Sequence, residues 1–119
     1  MRQDVKDLAD AMEAGWQKAP ITTYAHFRFE DNRVSGACAM GHALLGVGYV
    51  PEGGSLYDAN VAEATVRARF PILINQMVST PDGMWREEET LEHAINLLVL
   101  KRWTTPDIIR WLRTFQNEG

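Results

Sequence analysis

Near the start of the chain, apolar residues recur every three or four positions. They are Val5, Leu8, Met12 and Trp16. This spacing places side chains on one face of a helix, and acidic residues occupy the other faces. We therefore predict a helix from about Gln3 to Lys18. It ends before Pro20, because proline disfavours the helical conformation in the residue that precedes it.

The period changes to two between Thr22 and Cys38. Phe27 and Phe29 alternate with polar residues, as in a strand with one solvated face. Asp31 and Asn32 tolerate positive φ angles, so we expect them to close a two-residue hairpin. The predicted register has three pairs: Glu30 with Arg33, Phe29 with Val34, and Phe27 with Gly36.

Small apolar residues from Cys38 to Gly48 predict a second helix. Glycine lowers the stability of a helix, and this segment contains Gly41, Gly46 and Gly48. We therefore expect another backbone to pack closely against this helix.

Caps, prolines and apolar stripes predict the remaining elements. The first is a helix capped at Ser55–Asp58 that runs to Phe70, and a helix over Ile72–Val78 follows Pro71. After a turn at Thr80–Gly83, we predict a helix from about Arg86 to Arg102, whose last two turns should be buried on most sides. Thr105 caps the final helix, and Pro106 occupies its first position. The sequence thus predicts a mainly α fold. We expect a compact bundle of four to six helices with one small β-hairpin, at about residues 24–37, in a single domain over residues 1–119.

The composition is that of a folded domain. The chain has 119 residues, of which 45% are hydrophobic and 24% are charged, values typical of globular proteins. The net charge of −4 disfavours general nucleic-acid binding. No apolar run is long enough to span a bilayer, and the first residues lack the apolar core of a signal peptide. Together with the single cysteine, these features lead us to expect a protein of the reducing cytoplasm.

The segment Gly36–Leu44, which reads GACAMGHAL, resembles the C-A-L-G-A-L segment of a family of small uncharacterised bacterial and phage proteins. Those proteins also have a helix that ends in Gly-Trp, like Gly15-Trp16 here, and a late segment similar to the one from Trp103 to Leu112. The chain departs from the family's pattern twice, with His42 in place of alanine and Leu100-Lys101 in place of Asn-Asp. The resemblance implies a shared fold and a phage or mobile-element context, and it implies no activity.

Cys38 and His42 are candidates for catalysis or metal binding. At positions i and i+4 they lie on one helix face, and a helix N-terminus lowers the pKa of a thiol. His93 or His26 would then act as the base, or the four side chains would together hold zinc, although only one close pair exists. No catalytic cysteine signature surrounds Cys38. We therefore interpret Cys38 as a small buried residue at a strand-to-helix junction, and we predict no metal and no cofactor.

An acidic cluster precedes the apolar stripe of the helix predicted from about Arg86 to Arg102. It consists of Glu87, Glu88, Glu89 and Glu92. Carboxylates in a first helical turn are favoured by the helix dipole, which is a simpler explanation than acid–base chemistry. The glycine-containing loop of a calcium site is absent from the sequence. We interpret the cluster as a solvated face.

The last two predicted helices and the turn between them have the outline of a helix-turn-helix, and this part of the chain is locally basic. Its cations are Lys101, Arg102, Arg110 and Arg113. A recognition helix needs an exposed polar face for base edges, and the final helix offers few residues for one. Helical hairpins with short turns are common in bundles that do not bind DNA. A DNA-binding regulator is therefore an alternative function.

The leading hypothesis is a small acidic protein-binding module that docks on a larger host protein, with inhibition as one result of docking. Of the four tryptophans, Trp16 and Trp111 lie on predicted core stripes, whereas Trp85 and Trp103 flank turns, where aromatic residues serve as interface anchors. The predicted binding surface consists of Met84, Trp85, Glu87, Glu88 and Glu89. Core packing is the alternative for both Trp85 and Trp103, and Trp85 would then lie under the loop beside the core. A Cys38-dependent enzyme is the remaining alternative function.

Overall fold

The structure, a computed structural model, describes residues 2–21, 27–31, 33–51, 58–83 and 87–116. Its elements, in chain order, are α1 (Arg2–Trp16), β1 (Phe27–Glu30), β2 (Arg33–Ala37), α2 (Ala39–Gly46), α3 (Ala59–Arg69), α4 (Ile72–Asn75), β3 (Met77–Val78), a 3-10 turn (Pro81–Gly83), β4 (Glu89–Thr90), α5 (Leu91–Leu100) and α6 (Thr105–Gln116). The predicted mainly α fold with one small hairpin is confirmed, and β3 and β4 form a second antiparallel pair. Among the described residues, no helix combines the length and the apolar character that crossing a membrane requires.

Helices α1 and α2 cross with their backbones in direct contact. A Cβ atom added to Gly15 would lie less than 3.0 Å from the carbonyl oxygen of His42, and one added to Gly46 would lie equally close to the carbonyl of Ala11. Each helix thus supplies a glycine where the other backbone passes, which permits a close approach. The predicted packing of a second backbone on the glycine-containing helix is confirmed.

The core lies where α1, α2, α5 and α6 meet. Fully buried side chains on these four helices include Leu8, Met12, Leu44, Ile95, Leu98, Ile108 and Leu112. The apolar stripes that the sequence predicts therefore face inward. Leu100 is an exception, because it is 67% exposed at the end of α5. The prediction that this end of the helix is buried on most sides is wrong at that residue.

The hairpin of β1 and β2 contains a bulge that the predicted register lacks. Two of the three predicted pairs are present: Glu30 with Arg33, and Phe29 with Val34. The register then shifts by one residue, so Phe27 lies opposite Ala37, and its predicted pairing with Gly36 is wrong. The extra residue on β2 keeps Phe27 and Ala37 together on the core face, where both are buried. Asn32 of the predicted turn lies outside the described residues.

Helices α3 and α4 follow the predicted caps in part. Asp58 caps α3 by accepting a hydrogen bond of 2.9 Å from a backbone N–H two residues further on. Ser55, the other predicted cap, lies outside the described residues. The helix that follows Pro71 ends at Asn75, because Met77–Val78 pair with β4 instead. The second half of that predicted helix is therefore wrong.

Helix α5 begins later than the acidic cluster predicts. The hydroxyl of Thr90 accepts a hydrogen bond of 3.2 Å from the backbone N–H of His93 and caps the helix. The run Glu87–Glu89 precedes this cap, and its last member belongs to β4. The start predicted at about Arg86 is therefore wrong. Of the cluster, Glu92 is the member that lies in the first helical turn. It is buried and its carboxylate pairs with Arg67 of α3 at 2.9 Å, so the predicted solvated face is wrong at that residue.

Candidate functional site

The turn between α5 and α6 is a tight, hydrogen-bonded helix end. The backbone N–H of Trp103 donates to the carbonyl of Leu98, and that of Arg102 donates to the carbonyl of Val99, both at 3.0 Å. This pair of bonds requires a left-handed residue at Arg102, whose φ is 70°. Glycine is the usual residue at such a position because it has no Cβ. Because this position holds an arginine, the sequence lacks the glycine that would predict this kind of helix end.

Helix α6 begins with a reciprocal cap between Thr104 and Asp107. The Asp107 carboxylate accepts hydrogen bonds from the Thr104 backbone N–H and hydroxyl at 2.9 and 2.8 Å, and the same hydroxyl accepts one from the Asp107 N–H at 3.3 Å. The bonds from Thr104 hold the pKa of the Asp107 carboxyl below its ordinary value of 3.8. The prediction that Thr105 caps the helix and that Pro106 begins it is therefore wrong by one position. Thr105 lies inside α6, fully buried, with its hydroxyl left for another partner.

That partner is His42, a fully buried histidine of α2. Its Nδ1 lies 2.7 Å from the Thr105 hydroxyl oxygen, and its Nε2 lies 2.8 Å from the carbonyl oxygen of Ala19. A carbonyl can only accept, so Nε2 carries the proton and Nδ1 accepts from the hydroxyl. Burial lowers the pKa of His42 from its ordinary 6.5 and favours the neutral ring. The ring thus joins α2 to α6 and to the segment after α1.

Cys38 lies at the N-terminus of α2 and is 8% exposed. Burial raises the pKa of its thiol above the ordinary 9.0, so the thiol stays protonated at neutral pH. His42 directs both ring nitrogens to other groups, and His93 pairs with Glu89 at 2.7 Å. His26 lies outside the described residues. Within the described ranges, no three histidine, cysteine, aspartate or glutamate side chains are grouped as metal ligands would be.

A shallow groove of about 430 Å³ lies on the surface of α6, and we call it the α6 groove. Its lining consists of Trp103, Asp107, Arg110, Trp111 and Thr114. The four residues from α6 have the i, i+3, i+4, i+7 spacing of one helix face. Trp111, predicted as a core residue, is only partly buried, and its ring lies edge-on to that of Phe115 with 5.3 Å between centroids. It therefore packs against the core and lines the groove at once.

Arg113, one of the four cations predicted for DNA binding, faces α1. Its guanidinium contacts Asp10 at 3.1 Å and Glu13 at 2.8 Å. These ion pairs join α6 to α1. A phosphate group would have to compete with two carboxylates for this arginine, which disfavours it as a DNA contact.

Of the other three cations, Arg110 lines the α6 groove, and Lys101 and Arg102 lie in the turn before Trp103. The side chain of Arg110 is 72% exposed and pairs with Asp107. Lys101 and Arg102 are exposed in the turn that leads into Trp103, and neither forms an ion pair within the part of the chain that the structure describes. Lys101 and Arg102 therefore place positive charge in the turn before Trp103, which lines the groove.

The binding surface predicted from the sequence falls partly on residues that the structure does not describe. Met84 and Trp85 lie outside the described residues. Glu87 and Glu88 are exposed. The carboxylate of Glu89 forms a hydrogen bond of 2.7 Å with the imidazole of His93 in α5. The predicted binding surface therefore stays a prediction.

No protein family, curated protein or solved structure matches this chain. Its function therefore has to be inferred from the physical character of its own surface and interior. The surface offers an aromatic groove that Arg110 lines, and two further cations are exposed in the turn before it. The interior holds Cys38 and His42 in environments that suppress their reactivity.

Proposed function

We propose that this chain is a small protein-binding module of net negative charge that docks on a larger protein through the α6 groove. The observation that carries the proposal is the presence of Trp103 and Trp111 in one surface groove, with Asp107, Arg110 and Thr114 around them. Tryptophan is enriched among the residues that supply most of the binding energy at protein interfaces. Polar groups usually surround such anchors, as they do here.

The hydrogen bonds and ion pairs that hold α6 and Trp103 in place favour binding with little rearrangement. The hydrogen bond between Thr105 and His42 fixes the start of α6 to the core. The ion pairs of Arg113 fix the middle of the helix to α1. Trp103 is held by the backbone bond that closes the end of α5. A surface that is already rigid loses less entropy when a partner binds.

The interior supports binding rather than cysteine-dependent catalysis. A catalytic cysteine has to be accessible and partly ionised. Cys38 is buried, and the raised pKa keeps its thiol protonated. His42 makes two hydrogen bonds that leave neither ring nitrogen for a reaction.

The biological setting is a further part of the proposal. We include a phage or mobile-element origin, because the segment Gly36–Leu44 has the resemblance described above. We include a cytoplasmic location, because a single cysteine suits a reducing compartment. Inhibition of the host protein is one consequence that docking would have.

A pair of matched substitutions tests the docking site. Thr114→Arg places a long side chain in the groove at an exposed position, and Ser79→Arg makes a similar change at an exposed position outside the groove lining. Tagged wild-type protein and both variants capture proteins from a bacterial lysate, and mass spectrometry quantifies what each retains. We expect a protein that the wild type and Ser79→Arg retain and that Thr114→Arg loses. Equal capture by all three would contradict the proposal.

A further inference from the structure

We propose that the partner segment that enters the α6 groove is acidic and carries an apolar side chain. The apolar side chain lies between Trp103 and Trp111, and neighbouring carboxylates contact Arg102 and Arg110. This proposal rests on the proposed function, and it adds the chemistry of the partner to it.

Charge is distributed unevenly between this site and the rest of the chain. Of the cations in this part of the chain, Arg113 is paired with two carboxylates of α1, whereas Lys101 and Arg102 are exposed and form no ion pair within the described residues. Since the whole chain carries −4, the residues other than Lys101 and Arg102 together carry −6. An acidic segment is therefore repelled by most of the surface and attracted here, whereas a basic segment would be attracted elsewhere. Charge complementarity selects an acidic occupant for the groove.

The backbone at Arg102 indicates that its side chain has a use of its own. Its φ of 70° is disfavoured for any residue that has a Cβ. Glycine would form the same turn without this strain. What the arginine adds is an exposed cation at the position before Trp103, which lines the groove. Strain of this kind is characteristic of positions that serve binding.

Arg110 can exchange its present partner for a carboxylate of the occupant. Its pair with Asp107 is exposed to solvent, and exposed pairs of this kind are weak. Asp107 keeps its hydrogen bonds from Thr104 when the arginine leaves. A guanidinium binds a carboxylate through two parallel hydrogen bonds, so the exchange retains the hydrogen bonding of Arg110.

Single-stranded nucleic acid is the competing occupant, because bases also stack on tryptophan. Asp107 lies in the groove lining, and its lowered pKa keeps its carboxylate charged. Nucleic acid carries a phosphate with every base, so phosphates would lie close to this carboxylate. A peptide carries charge on only some of its side chains, so it can place an apolar side chain beside Asp107 and its carboxylates at Arg102 and Arg110. The groove therefore favours the peptide.

A displayed random peptide library provides the probe. It is selected on the intact wild-type chain after depletion on Thr114→Arg, and the strongest peptide is then titrated against purified variants. Arg102→Gly and Arg110→Gln each remove one cation. Arg28→Gln, on an exposed residue of β1, is the charge-matched control. Arg102→Gly also suits the left-handed backbone, so its melting temperature should not fall.

We expect the selected peptides to be net negative and to share an apolar residue. Affinity should fall about two- to fivefold in each of Arg102→Gly and Arg110→Gln, and about tenfold in the double variant, with Arg28→Gln unchanged. Selection of neutral or basic peptides that depend on the groove would contradict the proposed chemistry of the partner but not the docking site. Acidic peptides whose affinity is unchanged in both Arg102→Gly and Arg110→Gln would have the same consequence. Failure to enrich any peptide after depletion on Thr114→Arg would count against the docking site itself. Tighter binding of an oligothymidine, or self-association of the chain that Thr114→Arg abolishes, would also overturn the peptide assignment.

Discussion

The Nδ1 atom of His42 lies 2.7 Å from the hydroxyl oxygen of Thr105, although the two residues are 63 positions apart in the chain. Both side chains are fully buried. The hydroxyl donates to the ring, because the other ring nitrogen donates to the carbonyl of Ala19. This bond fixes the first turn of α6 to α2, and it therefore positions the groove that we propose as the docking site.

Removal of the Thr105 hydroxyl should destabilise the fold. Thr105→Val keeps the shape of the side chain but leaves Nδ1 of His42 buried without a donor, which typically costs about 1–3 kcal/mol. Urea denaturation measures the change in the free energy of unfolding. Thr65→Val removes a hydroxyl from the surface of α3, where solvent can replace it, and should change stability much less. Equal effects of the two substitutions would contradict the role given to Thr105.

The stability of the fold should fall as the pH falls below neutral. Burial lowers the pKa of His42 in the folded state from the ordinary 6.5. As the pH falls through that value, the unfolded chain gains a proton that the folded chain excludes, so the free energy of unfolding decreases. The decrease continues until the folded-state pKa is reached, with a slope of at most about 1.4 kcal/mol per pH unit for one proton.

Urea denaturation at several pH values between neutral and mildly acidic measures this slope. Asp10 and Asp107 have pKa values below 3.8 and titrate outside that window. His93→Gln changes an exposed histidine and should retain the slope. A free energy of unfolding that does not vary across this range would contradict a buried neutral His42.

Apolar periodicity predicts the helices that face the core, and the exceptions arise from interactions between distant segments. The spacing of Leu8 and Met12 in α1 is sufficient to place that helix, because the periodicity of apolar residues can be recognised from the local sequence alone. The bulge in β2 depends instead on which face of the hairpin meets the core. The late start of α5 depends on pairing of Glu89 with β3, and no feature of the acidic run predicts that pairing.

Part of the groove is also visible in the sequence. Trp103 flanks a turn, where the sequence leaves an interface anchor and core packing as alternatives. The polar residues that the sequence offers for an exposed face of α6 include Asp107, Arg110 and Thr114, which line the groove, and also Arg113, which faces α1 instead. Trp111 fits both this face and the apolar one, so its partial exposure requires the structure. The buried bond of Thr105 to His42 is not predictable, because Thr104 and Thr105 are equally good caps in the sequence.

Alanine at Gly15 should destabilise the crossing of α1 and α2. An added Cβ would overlap the backbone of His42, so the helices would have to move apart. Overpacking of this kind typically costs about 1–3 kcal/mol. At an exposed helical position the same substitution would stabilise the fold by about 0.5–1 kcal/mol, so the sign of the effect distinguishes the two environments. Thermal and urea unfolding of Gly15→Ala measure it, and a rise in stability would contradict the close packing.

Trp85 should contribute to partner binding and not to stability. It follows the turn at residues 80–83 and precedes the exposed carboxylates of Glu87 and Glu88, which together have the anatomy of a binding surface. We expect Trp85→Ala to leave the melting temperature unchanged and to weaken binding of the captured partner. The acidic rim should speed encounter with a basic surface of the partner, a surface distinct from the segment in the α6 groove, and that contribution should weaken as salt is raised. A sharp fall in melting temperature would show that Trp85 packs with the core, and the surface hypothesis would then be wrong.

The most direct measurement of docking through the α6 groove is the dissociation constant of the captured partner, determined by titration calorimetry. Wild-type protein, Thr114→Arg and Ser79→Arg are compared after their melting temperatures show that all three are folded. We predict that Ser79→Arg binds with the wild-type Kd and that Thr114→Arg binds at least about tenfold more weakly, the loss expected when an aromatic anchor site is blocked. The same Kd for all three proteins would contradict docking through the groove.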